Sequence, residues 1–262
     1  MRSRRRTLAV LTFAVSLLGL AVVSMRPVQA AEDDALQILK AMSDYLAGQK
    51  TISATFDSSL EVITPQSEKI QFASSGTLLL SRPNELRATR TGGYADVEMV
   101  FDGKELTVYG KNINGYTQLE SPGSVDQLID TLRGRGWAIP GADLLFGNVY
   151  DTLSADVIES KHIGLGVVDG VECNHLAFRN HDIDWQLWVE VGAKPIPRKL
   201  VITSKAVGGA PQYTLVIRDW KTDIAADQLA FEFKPPQGAE KLELEALAKL
   251  DELPPATPAK GQ

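Results

Sequence analysis

Arg82, in the run Ser81-Arg82-Pro83-Asn84, is the side chain of this 262-residue chain best equipped for polar work. Its guanidinium holds five donors in a rigid fork, which suits helix-end carbonyls or a ligand headgroup. A solvated turn arginine carries the same signature, so the residue acts only if something packs over the turn. Arg87 and Arg90 follow on the next strand and are expected to face solvent. Cys173 and His175 sit two apart on one strand, but CxxC, HExxH and other ligand pairs at zinc spacing are absent. A cysteine nucleophile also needs a base and an orienter, and a histidine two residues along a strand is poorly placed for that. GxSxG, P-loop and dinucleotide fingerprints are missing as well. Asp182 to Trp188 mixes acids and aromatics as sugar sites do. Strand alternation nevertheless sends Trp185 and Leu187 one way and Trp188 the other. The reading is a protein with no catalytic residues, no metal and no cofactor, and not an enzyme.

Apolar side chains offer more. Phe56, Leu60, Phe72, Leu78, Leu80, Met99, Phe101, Leu215 and Ile217 fall on strand positions that share an inward face. They fill a solid core or line a trough for a hydrophobic ligand, and spacing alone leaves both readings open. A trough has an energetic rationale, because each buried methylene gains roughly 0.8 kcal/mol.

The elements that carry these residues are mostly strands. Ile52 to Val62 alternates strictly, and Thr64 to Ser67 turns it back. Ile70, Phe72, Ser74, Gly76, Leu78 and Leu80 then share one face, with Pro83 and Asn84 supplying the next turn. Thr91-Gly92-Gly93 and Asp102-Gly103 close two further hairpins, the second a strong short-range signal. A strand around 115–119 completes the meander. Later strands are expected at 162–168, 171–180, 184–191, 197–204, 211–222 and 229–233. Helical periodicity marks 32–48, where Ala35, Ile38, Leu39, Met42, Tyr45 and Leu46 make one apolar face. It recurs at 124–132 through Val125, Leu128, Ile129 and Leu132, and short helical pieces are expected at 142–146 and 149–153. The Gly- and Pro-broken stretch from 134 to 153 is apolar enough to serve as a cover. The fold class is mainly β with added helices: one curved antiparallel sheet of about ten or eleven strands, an incomplete barrel.

The termini stand apart. Arg2, Arg4, Arg5 and Arg6 precede an apolar run, Leu8 to Val23, and Val28-Gln29-Ala30 fits a small-residue cleavage site. Residues 1–30 therefore read as a secretory signal peptide, 31–245 as one domain, and 246–262 as the end of a terminal helix (241–250) with a disordered Pro-rich tail. Loss of the leader removes five arginines and no acids, taking the formal charge from −6 to −11. Such an acidic protein is a poor match for nucleic acid or an anionic membrane surface. With Cys173 alone, an internal disulfide is excluded, and no cysteine follows the cleavage site to take a lipid. A soluble periplasmic protein, not embedded in the membrane after leader removal, is the expectation.

Four segments, taken in order, resemble the LolA/LolB lipoprotein-carrier family. They are Lys50-Thr51-Ile52-Ser53-Ala54-Thr55-Phe56 after the first helix, Gly76 to Asn84, Phe101 to Tyr109, and Phe231-Glu232-Phe233-Lys234-Pro235-Pro236. The chain is similar also to a group of predicted periplasmic proteins allied to that family. The resemblance implies a half-barrel whose apolar concave face lies under helices and accepts lipoprotein acyl chains. It implies too that Arg82 latches the helical lid through backbone carbonyls. Leu79 departs from the pattern, standing where an aromatic is usual, and the 171–204 hairpins are more elaborate than the carriers'. The function expected is a binding or carrier protein for a lipid, acylated or other hydrophobic ligand. The alternative is an envelope interaction or sensor module using the same fold to bind a protein partner.

Overall fold

The computed structural model describes residues 28–137, 139–225 and 227–244. Helix α1 (Val28–Ala47) leads into β1 (Thr51–Ile63), β2 (Lys69–Ser81), β3 (Glu85–Gly92), β4 (Asp96–Phe101), β5 (Glu105–Gly110) and β6 (Gly115–Glu120). Two helices follow, α2 (Val125–Gly134) and α3 (Val149–Ser154), with a 3-10 turn at Ala142–Leu145 between them. The second run of strands is β7 (Glu159–Val168), β8 (Val171–Arg179), β9 (Ile183–Glu190), β10 (Pro197–Ser204) and β11 (Gln212–Thr222), and a two-residue β12 (Glu240–Lys241) ends it.

All twelve strands among the described residues join one sheet, in the order β12-β6-β5-β4-β3-β2-β1-β11-β10-β9-β8-β7. Neighbours run antiparallel apart from β12, which lies parallel to β6. Because β7 and β12 stand at opposite edges, the sheet curves without closing, and the expected incomplete barrel is the fold. Its strand count exceeds the expected ten or eleven.

The added strand is β12, near the C-terminus, where an expected strand is also lost. Residues 229–233 do not form a strand; Gln228–Phe231 is a 3-10 turn in which the Leu229 N–H is capped by the Asp227 carboxylate at 3.0 Å. Asp227 starts a helical turn, and Pro235-Pro236 removes ladder donors just downstream. This turn rests against β3, where Arg87 donates to the Ala230 carbonyl at 2.8 Å. Arg87 also pairs with Glu98, so it is half-buried and bonded rather than free in solvent as expected. Within the expected terminal helix at 241–250, Lys241 belongs to β12, and residues 245–262 lie outside the described residues, as do residues 1–27 of the expected leader.

Helix α1 has the predicted apolar face. Ala35, Leu39, Met42 and Leu46, spaced four, three and four apart, are all fully buried. They pack on β7, β8 and β9 and on α3, and join Leu176, Phe178, Trp185, Leu187 and Val189 in one core. Helix α2 begins with a capping box, Ser124 and Gln127 exchanging side-chain and backbone bonds. Its Val125, Leu128, Ile129 and Leu132 close a second core over Ile52, Leu80, Phe101 and Leu106. The sheet thus bears two cores on one face, each under its own helix.

Candidate ligand-binding site

Between the two cores lies an apolar cavity of about 150 Å³. Its floor is sheet: Ala54 and Phe56 of β1, Leu78 of β2, Ala88 of β3, and Leu215, Ile217 and Trp220 of β11. Its roof is the segment from Ile139 to Leu145, the stretch anticipated as a cover. One glycine lets these layers approach. Gly141 takes φ of 83°, a left-handed conformation that suits glycine, and a Cβ there would sit 3.0 Å from Leu215 Cδ2. Within the sheet, opposite Phe56 in the β1–β2 ladder, is Gly76, where the Thr89 backbone carbonyl and the Phe56 ring lie so close that no Cβ fits.

Polar ties hold the roof down along one side. Arg82 Nη2 donates to the Phe146 carbonyl at 3.1 Å. Arg133 of α2 pairs with Asp143 at 2.7 Å, and its guanidinium lies 5.4 Å from the Phe146 ring centre. The Asp126 carboxylate accepts from the Gly147 N–H at 3.0 Å, and Ser43 Oγ of α1 accepts from the Tyr150 N–H at 2.9 Å. Arg82 itself follows β2, and its own N–H donates to the Lys50 carbonyl at 2.8 Å while the Pro83 carbonyl receives the Val125 N–H at 2.9 Å. Loop, helix α2 and roof are therefore linked through one turn. Burial pushes the Arg82 guanidinium below its ordinary range, with nearby Asp126 acting the other way. Its Nε is buried and has no hydrogen-bond partner among the described residues.

The nine apolar residues singled out in the sequence separate into three groups. Phe56, Leu78, Leu215 and Ile217 line the cavity. Leu80 and Phe101 are wholly buried in the α2 core and sit in solid packing, and half-buried Met99 packs against that core. Leu60 and Phe72 lie toward the far ends of β1 and β2, where burial declines; Phe72 meets Tyr94 edge-on at 5.9 Å. Arg90 lines the shallow hollow beside that pair.

Cys173 and His175 are occupied otherwise. The thiol is buried, donates to the Val171 carbonyl at 3.4 Å, and is pushed up by burial. His175 stacks on Trp188 at 4.1 Å and bonds Gln186 at 2.9 Å. Trp185 and Leu187 are buried and Trp188 is on the opposite face, as the alternation requires. Among the described residues no group of His, Cys, Asp and Glu could hold a metal ion.

The family model described as predicted periplasmic protein (DUF2092) matches residues 35–245. The chain belongs to that family. DUF2092 proteins are periplasmic by this description, and no helix among the described residues is long and apolar enough to cross a membrane. No curated protein matches the chain. Among solved structures, an uncharacterized conserved protein from Thermus thermophilus aligns at 13% identity and TM-score 0.49, covering 80% of this chain and 98% of that one. LprF from Mycobacterium bovis aligns at 12% and 0.45, covering 74% and 96%. A LolA superfamily protein from Nitrosomonas europaea aligns at 13% and 0.37, covering 76% and 97%.

Sequence reasoning missed Trp220 and the small residues Ala54 and Ala88. Alanine on a strand carries no signature of its own, and a cavity is made where side chains stop short. For Trp220 the alternation itself misleads, because an irregularity in the β1–β11 ladder changes the face it occupies.

Proposed function

We propose that this protein binds the acyl chain of a lipid or acylated molecule in the cavity between its two cores and carries it through the periplasm. The cavity carries this reading: its lining residues bear no charged side chain. A volume of about 150 Å³ is of the size that admits a benzene-like group, below the roughly 300–1,000 Å³ of ligand pockets. A full acyl chain enters only as the roof lifts, and each methylene it buries gains roughly 0.8 kcal/mol. The roof bears on the sheet through apolar contact and is tied at Asp143, Phe146 and Gly147. Arg82 is the latch in this scheme, releasing Phe146 on opening and recapturing it on closure. Lipoprotein acyl chains are one cargo of the required chemistry.

The test is extraction of protein purified from the periplasm with organic solvent, followed by mass spectrometry of the extract. Bound acyl lipid is expected, together with binding of an environment-sensitive fatty-acyl probe. An empty extract and an unbound probe together end the carrier reading.

A second reading, an interaction or sensor module, has its own observation. The edge strand β7 leaves Ile163, Leu165 and Val167 more than half exposed beside an unpaired backbone edge. A protein partner adding a strand there is the form that reading takes. Crosslinking in intact cells through position 165 tests it.

A further inference from the structure

The cavity floor contains one residue, Trp220, whose placement ordinary strand geometry does not explain. Leu215 and Ile217 face inward, so alternation puts Asp219 inward next and Trp220 outward. The β1–β11 ladder departs from that pattern. Thr55 pairs with Arg218 and Ser53 with Lys221, leaving Asp219 and Trp220 both opposite Ala54. This is a bulge, and Asp219 takes a left-handed φ of 48° in it. The Asp219 side chain stays outside, accepting from Thr55 Oγ1 at 2.7 Å. The extra residue swings Trp220 onto the inner face, where it lines the cavity and touches both cores.

Once there, the indole Nε1 is buried and has no hydrogen-bond partner among the described residues. Indole N–H is a donor only, and buried donors in folded proteins are almost always paired. Phenylalanine would serve a purely hydrocarbon cavity with the same aromatic bulk and no donor to satisfy. Arg82 Nε, at the roof's anchoring turn, is a second buried atom without a partner among the described residues, and it too can only donate. The third such atom, His162 Nε2 of β7, lies outside the cavity lining.

We infer that Trp220 Nε1 is the polar anchor of the cavity and receives the carbonyl oxygen of a neutral acyl group, an ester or an amide. This inference rests on the carrier reading and narrows its ligand. A hydrocarbon without oxygen leaves the donor unpaired. A free carboxylate brings a charge into a lining that has no cation, which is unfavourable unless the charge is paired. The carbonyl lies at the Trp220 end, and the chain runs along Phe56, Leu78 and Leu215 beneath the roof.

The experiment titrates the chain from residue 31, carrying 15N-labelled tryptophan indoles, with methyl palmitate, palmitate and hexadecane delivered from cyclodextrin. Absence of one indole signal in Trp220→Phe assigns the Trp220 resonance. Methyl palmitate is expected to move that resonance downfield, and hexadecane to leave its proton shift unbonded in character. Trp220→Phe is expected to weaken methyl palmitate binding about tenfold more than it weakens hexadecane binding, the scale of one hydrogen bond. Equal affinities for ester and hydrocarbon with no downfield shift overturn the anchor while leaving the carrier reading standing. Tighter binding of palmitate than of its ester overturns the neutral-carbonyl assignment. Binding of none of the three overturns the carrier reading itself. Should Trp220→Phe fail to fold, the wild-type shift, compared between ester and hydrocarbon, still decides the matter.

Discussion

The two halves of the sheet are closed by different means. Over β7 to β9, α1 lays down an unbroken stripe of four fully buried side chains, and the core beneath it is continuous from Leu176 to Val189. Over β3 to β6, α2 does the same work with four residues, but the chain then has to cross from α2 to α3. That crossing is the roof, a run of short turns broken by Pro140 and Gly141, and the cavity lies beneath it. Long amphipathic helices meet a sheet with matched periodic faces and pack densely. A connecting segment has no such periodicity, so the seam between two well-packed cores is where packing fails. The cavity is the product of that failure.

The largest effect expected from this contrast is in the α1 core. Leu39→Ala, at a fully buried position, should cost about 2–5 kcal/mol in urea unfolding. Leu78→Ala, on the cavity floor, should cost less than half as much, because its side chain already borders empty space. Equal costs would mean that the seam is packed as tightly as the cores. Next comes a filling substitution: Ala88→Leu projects into the cavity and should reduce acyl-probe binding more than tenfold. Its stability change should stay within about 1 kcal/mol, since the added methylenes occupy a void. Retained binding would move the ligand elsewhere.

Arg82→Leu is a smaller perturbation. It removes one charge-assisted bond to Phe146, which should lower stability by about 1–2 kcal/mol and speed probe release several-fold in stopped-flow displacement. Loss of folding in this variant would make Arg82 structural. The smallest effect is electrostatic. The Ser75 hydroxyl, followed by Arg218, holds the Asp57 carboxylate below its ordinary value of 3.8. A carboxylate depressed in the folded state stabilises the protein above its unfolded pKa, and that contribution fades as pH falls through the folded value. Thermal melts should therefore decline below about pH 4, and Asp57→Asn should soften the decline slightly, because the group is exposed.

Much of the frame was legible in the residues alone. Strict alternation from Ile52 to Val62 and from Ile70 to Leu80 specifies strands whose inner face is known, and the ladder pairs them as Ile52 with Leu80 and Leu60 with Phe72. The faces of α1 and α2 were readable from three- and four-residue spacing, and the cover between 134 and 153 from its broken apolar character. Arg82 was identified by its turn and by family resemblance; that it reaches Phe146, sixty-four residues on, depends on where α2 returns the chain.

What the residues determined alone is local: which stretches pleat, which coil, and which side of each is apolar, because backbone sterics and side-chain period act over a few residues. The tertiary structure decided which apolar residues end up in solid core and which border a void. Leu78 and Leu80 share one strand face, yet only Leu78 borders the cavity, because the roof crosses above one and α2 above the other. It decided, too, that Trp220 turns inward, since the Asp219 bulge is set by the register between β1 and β11, strands more than 150 residues apart in the chain. Nothing in the alternation of a single strand encodes that register.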